Sequence, residues 1–329
     1  MLKKILIFLR YFLLWSLPFV LLFWALRHQD FKTLWITLQN ANFSWAVAIG
    51  FITVTNHWVR AKRWQISLEP IQRVSTWHLF LALMFGYLIT FVIPRVGEIA
   101  RCSSLYKTDK VPLHVSIGTV ITERAIDIIC LGIVVVLSFA LEWKILVKFY
   151  ELYLQTPLLV GAEQFFSLQT RIIIIGCCVA LGVLFFLSLC FQKQYSFLHQ
   201  KTHAFLQKLK EGIFSLQKIR KPWVYVSYTI YIWFTYWLMT YWWFFSFPQT
   251  SHLSPSVGIA MMTVSSLARL LPIQGGGMGA YHYLFSEAMF LFGIPMLYGN
   301  ALAILVHGFQ SAYYLLVGGI CSWILFRKV

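Results

Sequence analysis

The chain has 329 residues, 59% of them hydrophobic and 18% aromatic, with only 12% charged and a mean hydropathy of +0.72. A soluble domain of this length does not carry such a composition, which leaves a membrane-embedded helical protein as the class. The formal net charge of +16 fits either nucleic acid or an anionic membrane surface, and basic residues grouped beside apolar runs select the membrane surface.

Bilayer hydrocarbon is roughly 30 Å thick and takes about 20 apolar residues per helical span. The first run, 5–26, follows Lys3 and Lys4 like a signal peptide. It is too long for one, and Leu26-Arg27-His28 offers no small-residue cleavage site, so a retained anchor helix is expected. A second span is expected over 43–59, after which Arg60, Lys62, Arg63 and Arg73 would lie in a cytoplasmic loop. The apolar stretch 78–93 ends in Pro94. A full crossing there would put Arg95, Arg101, Lys107 and Lys110 outside, so a re-entrant hairpin with its tip near Pro94 is expected instead.

A span follows over 116–141, another over 172–190, and then the stretch 193–221, which holds seven of the 27 basic residues. Within it, Leu198, Phe205, Leu209, Ile213 and Leu216 recur at helical spacing opposite lysines. This predicts a basic amphipathic helix over 195–221, lying on an anionic leaflet or docked on the bundle. A span at 223–247, a second hairpin from 256–271 and 281–292, and a last span at 301–326 complete the chain. Both termini then fall on the cytoplasmic side. The expected fold is all-α: one transmembrane domain over 1–329 with about six full spans and two re-entrant hairpins. Its parts are N-terminal spans 1–75, a first hairpin and span 76–141, linking spans 171–247 around a basic loop 192–222, and a second hairpin and span 256–326.

The two hairpins share a pattern, Pro94-Arg95-Val96-Gly97 and Pro272-Ile273-Gln274-Gly275, and three crossings separate them. Paired Pro/Gly interruptions of opposite orientation predict an inverted repeat with a site near the midplane; the same spacing also serves as an ordinary helix ending. Charges are costly in a span, by roughly 2.5–3.5 kcal/mol on insertion scales. Here they concentrate at Glu98, Arg101, Glu123, Arg124, Asp127, Arg269 and Glu287. Glu123 and Asp127, four apart on one helical face, need a cation between them, for which Arg95 and Arg101 are candidates. Such a cluster serves as a structural network holding the loop or as a contact to substrate. Gly275, Gly276, Gly277 and Gly279 permit positive φ ahead of a helix N-terminus, which suits phosphate or carboxylate, and they equally allow close helix approach. His57, His78, His114, His282 and His307 are scattered, and the six cysteines show no CxxC spacing, so no metal, cofactor or nucleophile is expected.

The run Pro94-Arg95-Val96-Gly97-Glu98-Ile99-Ala100-Arg101, then Glu123-Arg124-Ala125-Ile126-Asp127, then the glycine-rich 272–280 loop with Glu287, resembles the transmembrane domain family of lysylphosphatidylglycerol synthases. That family includes the flippase half of bacterial multiple peptide resistance factors. The resemblance implies a lipid-handling protein of the bacterial inner membrane, in its best-understood relatives a flippase for aminoacylated phosphatidylglycerol. The synthase relatives carry a soluble domain that uses aminoacyl-tRNA, whereas this sequence stops at Val329, so lysyl transfer is not expected. The expected mechanism has Arg95, Arg101 and Arg269 compensating a lipid phosphate with help from the glycine N–H groups. Glu98, Glu123, Asp127 and Glu287, beside Arg124, would meet a cationic headgroup or carry protons. The competing readings are an intramembrane enzyme with a divalent metal on Glu123 and Asp127, and an accessory subunit of a lipid-synthesis enzyme. Expected partners are membrane phospholipids and either a second copy of the chain or that enzyme, with no nucleic acid.

Overall fold

Prolines and glycines decide where the helices of this chain stop. The computed structural model describes residues 16–27, 29–155, 221–270 and 273–327, and among them there is no strand. The helices are α1 (Ser16–Leu26), α2 (Phe31–Gln39), α3 (Ser44–Leu68), α4 (Thr76–Val92), α5 (Gly97–Asp109), α6 (Leu113–Leu141), α7 (Trp143–Tyr150), α8 (Pro222–Trp242), α9 (Pro255–Leu270), α10 (Ala280–Leu291) and α11 (Met296–Phe326). The span expected over 172–190 and the basic segment 195–220 lie outside the described residues, as does the first part of the anchor helix.

Helix α4 begins at Ser75, whose hydroxyl accepts the His78 N–H at 3.1 Å. It stops because Pro94 forces the residue before it out of the helical region: Ile93 sits at φ −128°, ψ 106°. Arg95 then takes a left-handed conformation, φ 66°, and α5 returns along α4. The two backbones touch where a Cβ on Gly97 would lie 2.0 Å from the Gly86 carbonyl oxygen, so only glycine fits this crossing. Lys110 in the left-handed region and Pro112 end α5. The second hairpin, α9 and α10, turns through Gly275, Gly276, Gly277 and Gly279, all with φ between 66° and 87°. Helix α10 closes with Gly293 N–H bonded to Phe290 O at 2.9 Å and Ile294 N–H to Met289 O at 3.1 Å, the paired bonds of a left-handed glycine cap.

Side-chain and backbone contacts show which chain ends lie together. At one end, Gln72 Nε2 donates to Asp109 O at 2.8 Å, His78 Nδ1 lies 2.7 Å from Asp109 Oδ1, and Lys107 sits over the Phe326 ring. At the other, Asn42 N–H donates to Ser246 O at 2.9 Å, Ser256 Oγ donates to Glu142 at 2.5 Å, and Phe247 meets Tyr298. The α4/α5 hairpin therefore hangs from the first end and the α9/α10 hairpin from the second. Each is packed into its own core. Leu79, Leu81, Leu83, Met84, Cys102 and Leu105 join Trp64 and Leu68 of α3 in one, and Met261, Tyr281, Phe285 and Met289 join Leu302 of α11 in the other.

Apolar side chains also cover the outside. Helices α6 and α11 are long and apolar enough to cross a bilayer, and in α6 only 6% of the apolar window is buried, with Ile128, Ile133 and Val136 pointing outward. In water such a surface would drive aggregation, whereas hydrocarbon solvates it at no cost. Helix α3 differs from expectation. It does not end near residue 59 but continues for two more turns to Leu68, because no proline or glycine intervenes before Pro70. Arg60 and Arg63 are consequently not loop residues but buried helix residues.

Candidate functional site

Among the described residues, the ion pairs that join α3, α5 and α6 converge on Glu123. Its carboxylate, with a side chain only 3% exposed, has Arg124 at 2.7 Å, Arg60 at 2.8 Å, Arg63 at 3.3 Å and Arg101 at 3.4 Å. One turn along α6, Asp127 meets Arg63 at 2.9 Å, Arg124 at 3.1 Å and Arg60 at 3.5 Å. Glu98, at the start of α5, pairs with Arg124 at 3.3 Å. The four-residue spacing of Glu123 and Asp127 places both on one face of α6, and the three-residue spacing of Arg60 and Arg63 presents the matching cations from α3. Neighbouring aromatics close the cluster: Arg101 lies 4.7 Å from the Trp64 ring, Arg60 donates to Tyr236 Oη at 2.6 Å, and Arg63 lies over Tyr225.

Three cations bridge the two carboxylates: Arg124 from α6 itself, and Arg60 and Arg63 from α3, the last two in a stretch where the sequence predicts a loop. Of the two candidates singled out, Arg101 joins the cluster through Glu123 and Arg95 does not. Arg95 reaches across instead, its Nη2 donating to Leu270 O at 3.2 Å, and so ties the tip of the first hairpin to that of the second. The signal that could have found Arg60 and Arg63 is their spacing, complementary to that of Glu123 and Asp127, on a helix with nothing to stop it.

Between the two tips lies a cavity of about 640 Å³, of the size that holds a small organic group. Arg95, Glu98 and Arg101 line it from the first hairpin, Arg269, Gly276 and Gly277 from the second, and Arg60, Arg124 and Asp127 from the spans behind. Arg269 lies over the Tyr281 ring at 4.8 Å, and among the described residues no carboxylate pairs with it or with Arg95. Four of the sequence candidates do not line it, and Glu123 is one of them, sitting behind the lining in the ion-pair cluster. A Cβ on Gly275 would lie 3.4 Å from Met278 Cβ; Gly279 packs so tightly on Leu21 of α1 that a Cβ would lie 2.3 Å from that side chain, and the Gly279 N–H is taken by His282 Nδ1 at 3.3 Å. Glu287 accepts a hydrogen bond from Tyr153 Oη at 2.7 Å, away from the cavity.

A hydrocarbon-compatible exterior around a charged interior defines a membrane protein. The family model of the lysylphosphatidylglycerol synthase TM region matches residues 4–318, and the chain belongs to that family. No curated protein and no solved structure matches it.

Proposed function

We propose that the protein moves the polar headgroup of a phospholipid between leaflets, through the cavity where the two hairpin tips meet, in the bacterial inner membrane. The observation that carries this reading is the tip-to-tip meeting itself: Arg95 bonds to Leu270 O, and both tips line one charged cavity. Interrupted helices that enter from opposite sides and share a site are how transporters place a binding site at the midplane, with α3–α6 and α8–α11 as the two inverted units. The cytoplasmic end is the one carrying Arg73, Lys107, Lys110, Lys221 and Arg327, by the bias of basic loops toward that side. Both termini are then cytoplasmic.

Arg95, Arg101 and Arg269 supply the phosphate contacts, with Gly276 and Gly277 allowing the ligand close to the backbone. Lipid tails remain in the bilayer while the headgroup passes. An enzymatic reading with a divalent metal on Glu123 and Asp127 is disfavoured, because arginine guanidinium groups already occupy both carboxylates at 2.7–3.5 Å. Lipid movement in proteoliposomes tests the proposal. Wild type moves lipid, whereas Glu98→Ala and Arg269→Ala fold but do not; undiminished movement in both variants sinks it.

A further inference from the structure

The charges lining the cavity do not balance. Arg60, Arg95, Arg101, Arg124 and Arg269 face Glu98 and Asp127, an excess of three positive charges among the described residues. The pair behind them, Arg63 with Glu123, adds one charge of each sign and leaves the excess unchanged. Every carboxylate at the site already has an arginine within 3.5 Å. An ammonium group entering here would find no free anion and would meet a field of its own sign. Arg95 and Arg269, which have no carboxylate partner among the described residues, stand on opposite tips and face the same space. Guanidinium groups approaching from two sides suit an anion with several terminal oxygens, which accepts from both at once. An uncompensated excess of this size inside hydrocarbon is expensive, and a dianion offsets it more fully than a monoanion does.

We infer that the cavity takes a lipid whose headgroup bears at least two negative charges and no ammonium group: a phosphomonoester or a diphosphate. This rests on the reading of the cavity as a headgroup site and narrows its substrate class. A phosphodiester with one charge, such as phosphatidylglycerol, is a poorer ligand, and its lysyl ester, which adds two ammonium groups, poorer still. The same chemistry comes from two sources, a diacylglycerol phosphate and an isoprenoid phosphate, which differ in their tails.

Competition binding to the full chain, delipidated in detergent and followed by native mass spectrometry, tests the inference. The probes are phosphatidic acid, an isoprenyl phosphate, an isoprenyl diphosphate, phosphatidylglycerol, phosphatidylethanolamine and lysylphosphatidylglycerol. At least one lipid phosphate of the dianionic group is expected to bind about tenfold tighter than phosphatidylglycerol, which in turn outcompetes lysylphosphatidylglycerol. Whether phosphatidic acid or the isoprenyl lipids win identifies the source. In the double variant Arg95→Gln/Arg269→Gln the dianion preference falls to about twofold. Phosphatidylglycerol or its lysyl ester binding wild type as tightly as every dianion overturns the inference, with no need for the variants. Movement of lipids in proteoliposomes without a dianion preference leaves the transport reading standing and removes this one; dianion-selective binding without movement does the reverse.

Discussion

Arg60 Nη2 lies 2.8 Å from Glu123 Oε1, although 63 positions separate the two residues in the chain. The bond joins α3 to α6, and Arg63, one turn further, repeats it to Asp127 at 2.9 Å. Both arginines are buried, so each needs the opposite helix in order to be tolerated at all. The cluster thereby locks two helices into one register and holds α5 against them through Arg101.

Glu123→Ala is therefore expected to destabilise the protein by about 3–5 kcal/mol, because four arginines lose their common partner in a buried place. Thermal unfolding of the purified variant in detergent checks this. Removing one cation as well, in Glu123→Ala/Arg63→Gln, should recover part of the loss, with a coupling of about 0.5–3 kcal/mol between the two sites when Arg63→Gln alone completes the cycle. Additive losses in that cycle would show that the pair does not act as a unit.

Two glycines make an opposite pair of predictions. In Gly97→Ala the new methyl group would stand 2.0 Å from both Gly86 O and Thr90 Oγ1, so α5 must move away from α4. A loss of roughly 1–3 kcal/mol, the usual cost of overpacking, and a displaced Arg101 are expected. Gly132→Ala, on the outer face of α6 with nothing within 4 Å, should be neutral or stabilising by up to about 1 kcal/mol. Unfolding midpoints of the two variants, measured side by side, test the contrast.

Much of this arrangement is legible in the residues, and the illegible part has a physical cause. Pro94 and the glycines after Pro272 mark the two tips because proline and positive φ are local constraints. The end of α11 at Phe326 and the crossing character of α6 follow from unbroken apolar runs. Hydropathy misplaces Arg60 and Arg63, since a window average reads them as the start of a loop, whereas the helix runs on unbroken and a pair of carboxylates arriving from another helix lets their charges be buried. The Gly86–Gly97 crossing and the meeting of the tips are tertiary in the same sense. Glu287 enters the expected site as a charge in the second hairpin and through the family resemblance, and nothing in its neighbours within the sequence reveals that its partner is Tyr153.

The proposed topology makes a prediction that does not depend on transport. Lys110, at the turn after α5, and Ser251, in the loop before α9, are exposed and lie at opposite ends of the bundle. In a chain whose six native cysteines are replaced by alanine, Lys110→Cys should react with an impermeant maleimide only when the cytoplasmic side is open. Ser251→Cys should react from outside in intact cells. Labelling of both from one side would contradict the entry of the two hairpins from opposite faces.

Arg269 and Glu287 sit on the two arms of one hairpin, yet their variants should part company. Arg269 faces the cavity and lies over the Tyr281 ring, without a carboxylate partner among the described residues, so Arg269→Ala removes the charge proposed to meet the headgroup and little that the fold requires. Lipid movement should fall to background while the unfolding midpoint stays close to that of wild type, and Arg269→Lys should restore part of the movement, because a point charge replaces the two-pronged donor. Glu287 accepts its bond from Tyr153 away from the cavity. Glu287→Gln weakens one hydrogen bond to a charged acceptor, worth about 1.5–3 kcal/mol at most, and should leave lipid movement within about twofold. Tyr153→Phe should behave alike, since the two residues share that bond. Loss of movement in Glu287→Gln with a normal midpoint would place Glu287 on the headgroup path after all and move the site toward the outer end of the second hairpin.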